Sequence, residues 1–202
     1  MNATGADNKD MNDGVGNLFV VSAPSGAGKT TLCRALRRAY PDMRYSISHT
    51  TRRPRPGETN GVDYFFIAET EFLLMRDQGD LAEWARVHGH FYGTSVKFLE
   101  EVLANGRDIL LDIDVQGTRQ LLKRYPDAVT IFIMAPSLEI LRQRLQHRAT
   151  DDPKIIDRRL RNAEKEIAQK SIYRHVIVND DLERATKEFI QLVADYRQKR
   201  HT

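Results

Sequence analysis

Residues 18–30, LFVVSAPSGAGKT, decide how the chain folds. Leu18 to Ser22 is a short apolar run ending in a glycine-bearing turn, the pattern of a buried strand feeding a helix. From Lys29 the apolar spacing changes. Leu32, Ala35, Leu36 and Ala39 fall at i, i+3, i+4 and i+7, and Pro41 closes the helix. Between strand and helix lie Ala23, Pro24, Ser25, Gly26, Ala27, Gly28, Lys29 and Thr30. Gly26 and Gly28 let backbone N–H groups turn toward phosphate oxygens, and the helix N-terminus adds a favourable dipole. Lys29 reaches the β- and γ-phosphates, and the Thr30 hydroxyl is placed for Mg²⁺. Ala23 stands where the strict pattern opens with Gly. Strand, glycines, lysine and helix in register define a phosphate site for a nucleoside triphosphate, and leave open what is phosphorylated or hydrolysed.

The same alternation returns downstream. Residues 109–113, 129–135 and 175–178 read as buried strands. Leu121, Leu122 and Tyr125 mark a helix stopped by Pro126, and Asp152-Pro153 is an N-cap with proline at the first helical position. The last helix carries Leu182, Ala185, Phe189, Leu192, Val193 and Tyr196 on one face, with Asp181 as its cap. Strand and helix in alternation predict an α/β fold of three layers, with a mainly parallel central sheet of about five strands. Residues 44–92 break the rhythm with closely spaced strand-like pieces, one helix around 72–77 and a turn at His88-Gly89, predicting an inserted antiparallel lobe. Residues 138–152 form a second break, an arginine-studded segment. The expected division is a disordered tail at 1–16, a core of 17–43, 98–137 and 153–202, a lobe at 44–97 and a helical lid at 138–152.

Composition narrows the classes. No apolar run approaches the roughly 20 residues that span a bilayer, and the polar start MNATGADNKDMNDGVG lacks the pattern of a secretory signal. Cys33 is the single cysteine, so no intrachain disulfide forms, and a reduced cytoplasmic setting is expected. On its helix Cys33 reads as a small buried filler rather than a reactive thiol. The pI of about 9.0 fits nucleic acid or phosphorylated small molecules equally, and only the placement of the arginines decides between them.

Arg52 and Arg55 stand three apart in a loop bounded by Pro and Gly, with Tyr64 just downstream. Two guanidinium forks and a phenol suit a dianionic monophosphate. Glu83 is a charged residue among apolar neighbours in LAEWA, and Asp112 and Asp114 end the run ILLDID, where a carboxylate orients Mg²⁺ and its waters. The segments SAPSGAGKTTL, SHTTRRPRPGETNGVDYFF, AEWARVHGHFYGTS, ILLDIDVQG and VIVNDDL resemble the signature segments of guanylate kinase, in that family's order. The resemblance covers roughly 18–197 and implies phosphoryl transfer from ATP to GMP, and to dGMP with it, with Mg²⁺ as cofactor. It implies ATP binding by 23–31, through Thr31. It also implies GMP binding by Ser48, Arg52, Arg55, Tyr64, Glu83, Tyr92, Thr94, Asp112 and Asp114. In that family the glutamate matching Glu83 binds the base edge, which fits the N1–H and N2–H₂ donors of guanine. Asp112 and Asp114 are assigned jointly to metal and nucleotide, with Thr30 and Asp112 as the metal set.

No Ser-His-Asp set is evident, which suits transfer by positioning and charge stabilisation. Lys29, Arg52, Arg144, Arg148 and Arg159 are the catalytic cations that the resemblance implies. His147-Arg148-Ala149 departs from the family's frequent Gly-Arg-Gly at the lid, and Asn179 to Asp181 lie near the adenine by family analogy. Lobe and lid are expected to close over both nucleotides, because water would otherwise accept the phosphoryl group. Neither nucleic acid nor membrane is expected as a partner. Two alternatives stand beside this reading. A catalytically silent, guanylate-kinase-like phosphopeptide module is disfavoured by the intact Gly28-Lys29-Thr30, and a kinase of another phosphorylated acceptor by the combined acceptor set.

Overall fold

The computed structural model describes residues 14–87, 89–147 and 152–200. Strand β1 (Leu18–Ser22) lies at the centre of a five-stranded parallel sheet. Its neighbours are β7 (Ile109–Asp112) and β8 (Val129–Met134), and the edges are β2 (Arg44–Tyr45) and β9 (His175–Val178). Side chains alternate across β1. Phe19 and Val21 pack with Leu32, Cys33 and Leu36 of helix α1 (Lys29–Ala39) and with Ala185, Phe189 and Val193 of α7 (Leu182–Arg200). Leu18 and Val20 pack on the opposite face with Leu99 and Val102 of α3 (Val96–Ala104) and Leu121 of α4 (Val115–Arg124). Both faces are covered, so the strands read as unbroken apolar runs and the expected three layers form.

A second sheet of four strands stands beside the core, in the order β4 (Phe65–Phe66), β3 (His49–Thr50), β6 (His90–Ser95), β5 (Leu81–Val87), with α2 (Glu69–Asp77) packed on it through Phe72. It differs from the expected antiparallel lobe in one respect. Strands β3 and β4 are parallel, joined by the 51–64 connection, which is long enough for a crossover. The β5–β6 hairpin forms as expected, with Gly89 at φ +85° in its turn, while His88 lies outside the described residues. Three boundaries also shift. Arg44–Tyr45 pairs with Ile109–Leu110 in the central sheet rather than joining the lobe. Helix α3, which the sequence reading did not single out although Val96, Leu99, Val102 and Leu103 fall at helical spacing, starts at Val96 directly after β6 and belongs to the core, capped where the Phe98 N–H donates to Ser95 Oγ at 3.4 Å. Residues 14–16 were expected in the tail, yet Gly16 is buried and its N–H donates to the Leu103 carbonyl at 2.9 Å.

Helix α5 (Leu138–His147) buries Leu141 and Leu145 against Ile156, Leu160 and Ala163, which line one face of α6 (Pro153–Ile167). The α6 start is the expected one, with Pro153 first and Asp152 accepting from the Lys154 N–H at 2.8 Å. The α7 start follows expectation too, the Arg184 N–H donating to Asp181 Oδ1 at 2.8 Å.

Candidate active site

Helices α3, α4, α6 and α7 each have a side chain accepting from an N–H of the first turn; α1 has none. Its N-cap is Gly28, at φ +99°, so the first N–H groups of α1 stay available to an anion. Only glycine fits here for a second reason: a Cβ on Gly28 would stand 2.2 Å from Asn179 Nδ2. That amide donates to the Ala27 carbonyl at 2.8 Å, from a side chain only 4% exposed, and holds the phosphate loop from below. Leu141 and Leu145 of α5 pack over the same loop at Gly26. Ala23 to Ser25, Gly26, Gly28, Lys29, Thr30 and Thr31 line a cavity of about 320 Å³.

A second cavity, also about 320 Å³, is lined by Lys29, Ser48, Tyr64, Glu83, Ala85, Val87, Tyr92, Asp112, Ile113 and Asp114. Lys29 lines both and so joins them. Asp112 stands beside Val21 across the β1–β7 ladder, which brings its carboxylate to the phosphate loop, where it pairs with the Lys29 ammonium. Burial alone would lower the Lys29 pKa, but the Asp112 carboxylate overrides it and holds the ammonium charged. The other Asp112 oxygen accepts from the Tyr45 hydroxyl at 3.3 Å. Asp114 is employed differently: it is the N-cap of α4 and accepts from the Gly117 N–H at 2.7 Å.

Glu83 is 5% exposed and accepts from the Thr94 hydroxyl at 2.6 Å. Between Leu81 and Glu83 the register with β6 slips, so Ala82 is a bulge that re-aims the glutamate. Gly117 makes room for it, since a Cβ there would lie 2.6 Å from Glu83 Oε2. Burial pushes the Glu83 carboxyl up to about 7, the Thr94 bond partly opposes this, and the Asp114 charge adds to it. Thr94 is therefore a support for Glu83, fully buried, rather than part of the cavity wall.

Arg52 lies beside this cavity rather than in its wall, over the Tyr64 ring at 5.3 Å. Both its terminal nitrogens donate to Glu58, each at 2.9 Å, and the Arg55 N–H donates to the same carboxylate at 2.7 Å. Glu58 thus orients the loop and raises the pKa of Arg52, a partner that sequence reasoning missed although both stand in the segment RRPRPGE. The Arg55 residue is exposed, and Tyr64 packs edge-on to Tyr92. Arg144 donates to the Asn179 carbonyl at 2.9 Å, and Arg159 lines a third cavity with Ser25, Arg158, Asn162 and Glu166. Arg148 lies outside the described residues. Asn179, expected beside the adenine, has its amide engaged by the phosphate loop. Cys33 is 3% exposed, with its thiol pushed up to about 12 by burial, as befits a filler.

An uncapped helix behind a glycine loop, a lysine shared by two cavities and a carboxylate-lined second cavity together define a P-loop phosphotransferase with separate donor and acceptor sites. A profile of the guanylate kinase family matches residues 15–196. Guanylate kinase of Geobacter metallireducens is 50% identical over 182 residues, covering 90% of each chain, and that of Geobacter sulfurreducens is 51% identical over 178 residues, covering 88% of each. The crystal structure of guanylate kinase from Anaplasma phagocytophilum superposes with a TM-score of 0.69 at 34% identity, over 90% of this chain and 86% of that one. The chain belongs to the guanylate kinase family.

Proposed function

We propose that the chain transfers the γ-phosphoryl group of ATP to GMP in one in-line displacement, with the transferring group passing over Lys29. The observation that carries this reading is that Lys29 lines both the phosphate-loop cavity and the Glu83 cavity. An acceptor phosphate oxygen is already ionised near neutral pH, so no strong general base is needed, and catalysis reduces to alignment and cationic stabilisation. Lys29 supplies one such cation, and Arg144 and Arg159, on the two helices flanking the phosphate loop, supply others. The Arg52 guanidinium, held by Glu58, and Arg55 take the GMP phosphate, with Tyr64 and Tyr92 beside them. Glu83 accepts from the guanine donor edge, and Ser48 lies in the same cavity. The 2′ position meets no requirement in this set, so dGMP is accepted too.

The donor set suits Mg²⁺ in a modest way. Thr30 stands in the first turn of α1, in the wall of the phosphate-loop cavity, while both oxygens of Asp112 are engaged by Lys29 and Tyr45. Mg²⁺ keeps several waters and binds chiefly through substrate phosphates. Thr30 would hold it directly, Asp112 would act through water, and the ion would neutralise charge on the β- and γ-phosphates. Asp114 serves the nucleotide side through α4. No helix among the described residues is long and apolar enough to cross a membrane. The cytoplasmic setting is supported instead by Cys33, the single cysteine, a buried free thiol.

A coupled assay with ATP against GMP, dGMP, AMP, CMP and UMP tests the reading. ADP should form with the two guanine nucleotides and little with the others. Equal rates with AMP would remove Glu83 from the base pocket, and no ADP with any acceptor would overturn the enzyme reading.

A further inference from the structure

Gln120 touches neither cavity and lies outside every signature segment, yet its side chain makes two hydrogen bonds to the strand that carries Glu83. The Trp84 N–H donates to Gln120 Oε1 at 3.1 Å, and Gln120 Nε2 donates to the Trp84 carbonyl at 2.7 Å. Strand β5 is the edge of its sheet, so it has no further strand on its outer side to pair with. The amide offers one acceptor and one donor, as the backbone of a neighbouring strand would. It does so at the residue after Glu83, and two residues after the bulge at Ala82. A bulge interrupts the ladder on the β6 side, which makes an anchor on the other side of β5 decisive for where Glu83 points. Gly117, which makes room for the Glu83 carboxylate, is three residues before Gln120 and so on the same face of α4.

We infer that Gln120 is a specificity-determining positioning residue, which clamps the bulged edge of β5 so that Glu83 meets the donor edge of the guanine base. The inference rests on Glu83 reading that base. Because Asp114 caps α4, the same clamp ties the base pocket to the turn that follows β7, which ends at Asp112.

The test is steady-state kinetics with GMP and with inosine monophosphate, which lacks the exocyclic amino group that Glu83 would bind. In Gln120→Met, of similar size but unable to make either bond, the GMP-to-IMP ratio of kcat/KM should fall about tenfold through a higher KM for GMP. The KM for ATP, and kcat at saturating GMP, should stay within about twofold. Gln120→Glu still accepts from the Trp84 N–H but faces its carbonyl with a second acceptor, so it should fall between wild type and the methionine variant. It decides the matter alone if Gln120→Met does not fold. An unchanged GMP-to-IMP ratio in these variants, with the ratio lost in Glu83→Gln, overturns the role of Gln120. An equal loss for ATP and GMP does so as well, because it marks a general structural effect. A ratio unchanged in Glu83→Gln removes the reading of Glu83 itself, and the inference falls with it.

Discussion

Replacing Glu83 by Gln should stabilise the fold while damaging the enzyme. Burial is the main reason its carboxyl rises from 4.5 to about 7, with the Asp114 charge adding and the Thr94 hydroxyl opposing. In the window between those values the folded protein keeps a proton that the unfolded chain has lost. Stability therefore declines as pH rises from 4.5 to about 7, and above 7 the buried carboxylate carries its full penalty. Converted at 1.36 kcal/mol per pKa unit, that penalty is about 3 kcal/mol. Glutamine fills the same space and still accepts from Thr94, but never ionises. Urea denaturation of wild type and Glu83→Gln should give equal stabilities near pH 4.5, and a variant more stable by about 3 kcal/mol at pH 8. Coupled kinetics on the same samples should show a lost preference for GMP over AMP. A difference in stability that does not change between the two pH values, or a variant less stable at pH 8, would refute the argument from burial.

Lys29→Ala removes the cation that the two cavities share, and kcat should fall about 100- to 1,000-fold, as when one transition-state donor is lost; near-wild-type turnover would end its assigned role. Asn179→Ala leaves the buried Ala27 carbonyl without its partner, so the fold should lose about 1–3 kcal/mol in urea titration and the KM for ATP should rise. An unchanged KM for ATP would show that the phosphate loop holds its shape without that bond. Cys33 should resist a thiol reagent at pH 8 and react only after unfolding, since its thiol is 3% exposed and pushed up to about 12. Prompt labelling of native protein would contradict the packing around α1.

What could be read from the sequence was local. The phosphate loop is contiguous, so glycine, lysine and the start of α1 carry their geometry with them, and the apolar runs at 18–22, 109–113 and 129–135 announce strands buried on both faces. The short fifth strand at Arg44–Tyr45 has no such run and is defined by its pairing with Ile109–Leu110. Helix α3 was overlooked because β6 runs straight into it, its last residue Ser95 doubling as the N-cap, without the glycine or proline that usually marks a boundary. Glu58 was in plain view, but its bidentate grip on Arg52 depends on the loop folding back over six residues.

By itself, then, the sequence determined the three-layer core and the phosphate site. It also placed arginines, hydroxyls and carboxylates in the order of the guanylate kinase family. The tertiary structure decided what each carboxylate does. Asp112 and Asp114 are two residues apart and alike in sequence, yet one pairs with Lys29 across a strand ladder and the other caps α4. Glu83 and Glu58 differ just as much, one nearly sealed and half-protonated near neutrality, the other held ionised by an arginine. The physical reason is that an ionisable group takes its charge from the solvent it loses and the partners it gains. Both are set by contacts between segments far apart along the chain.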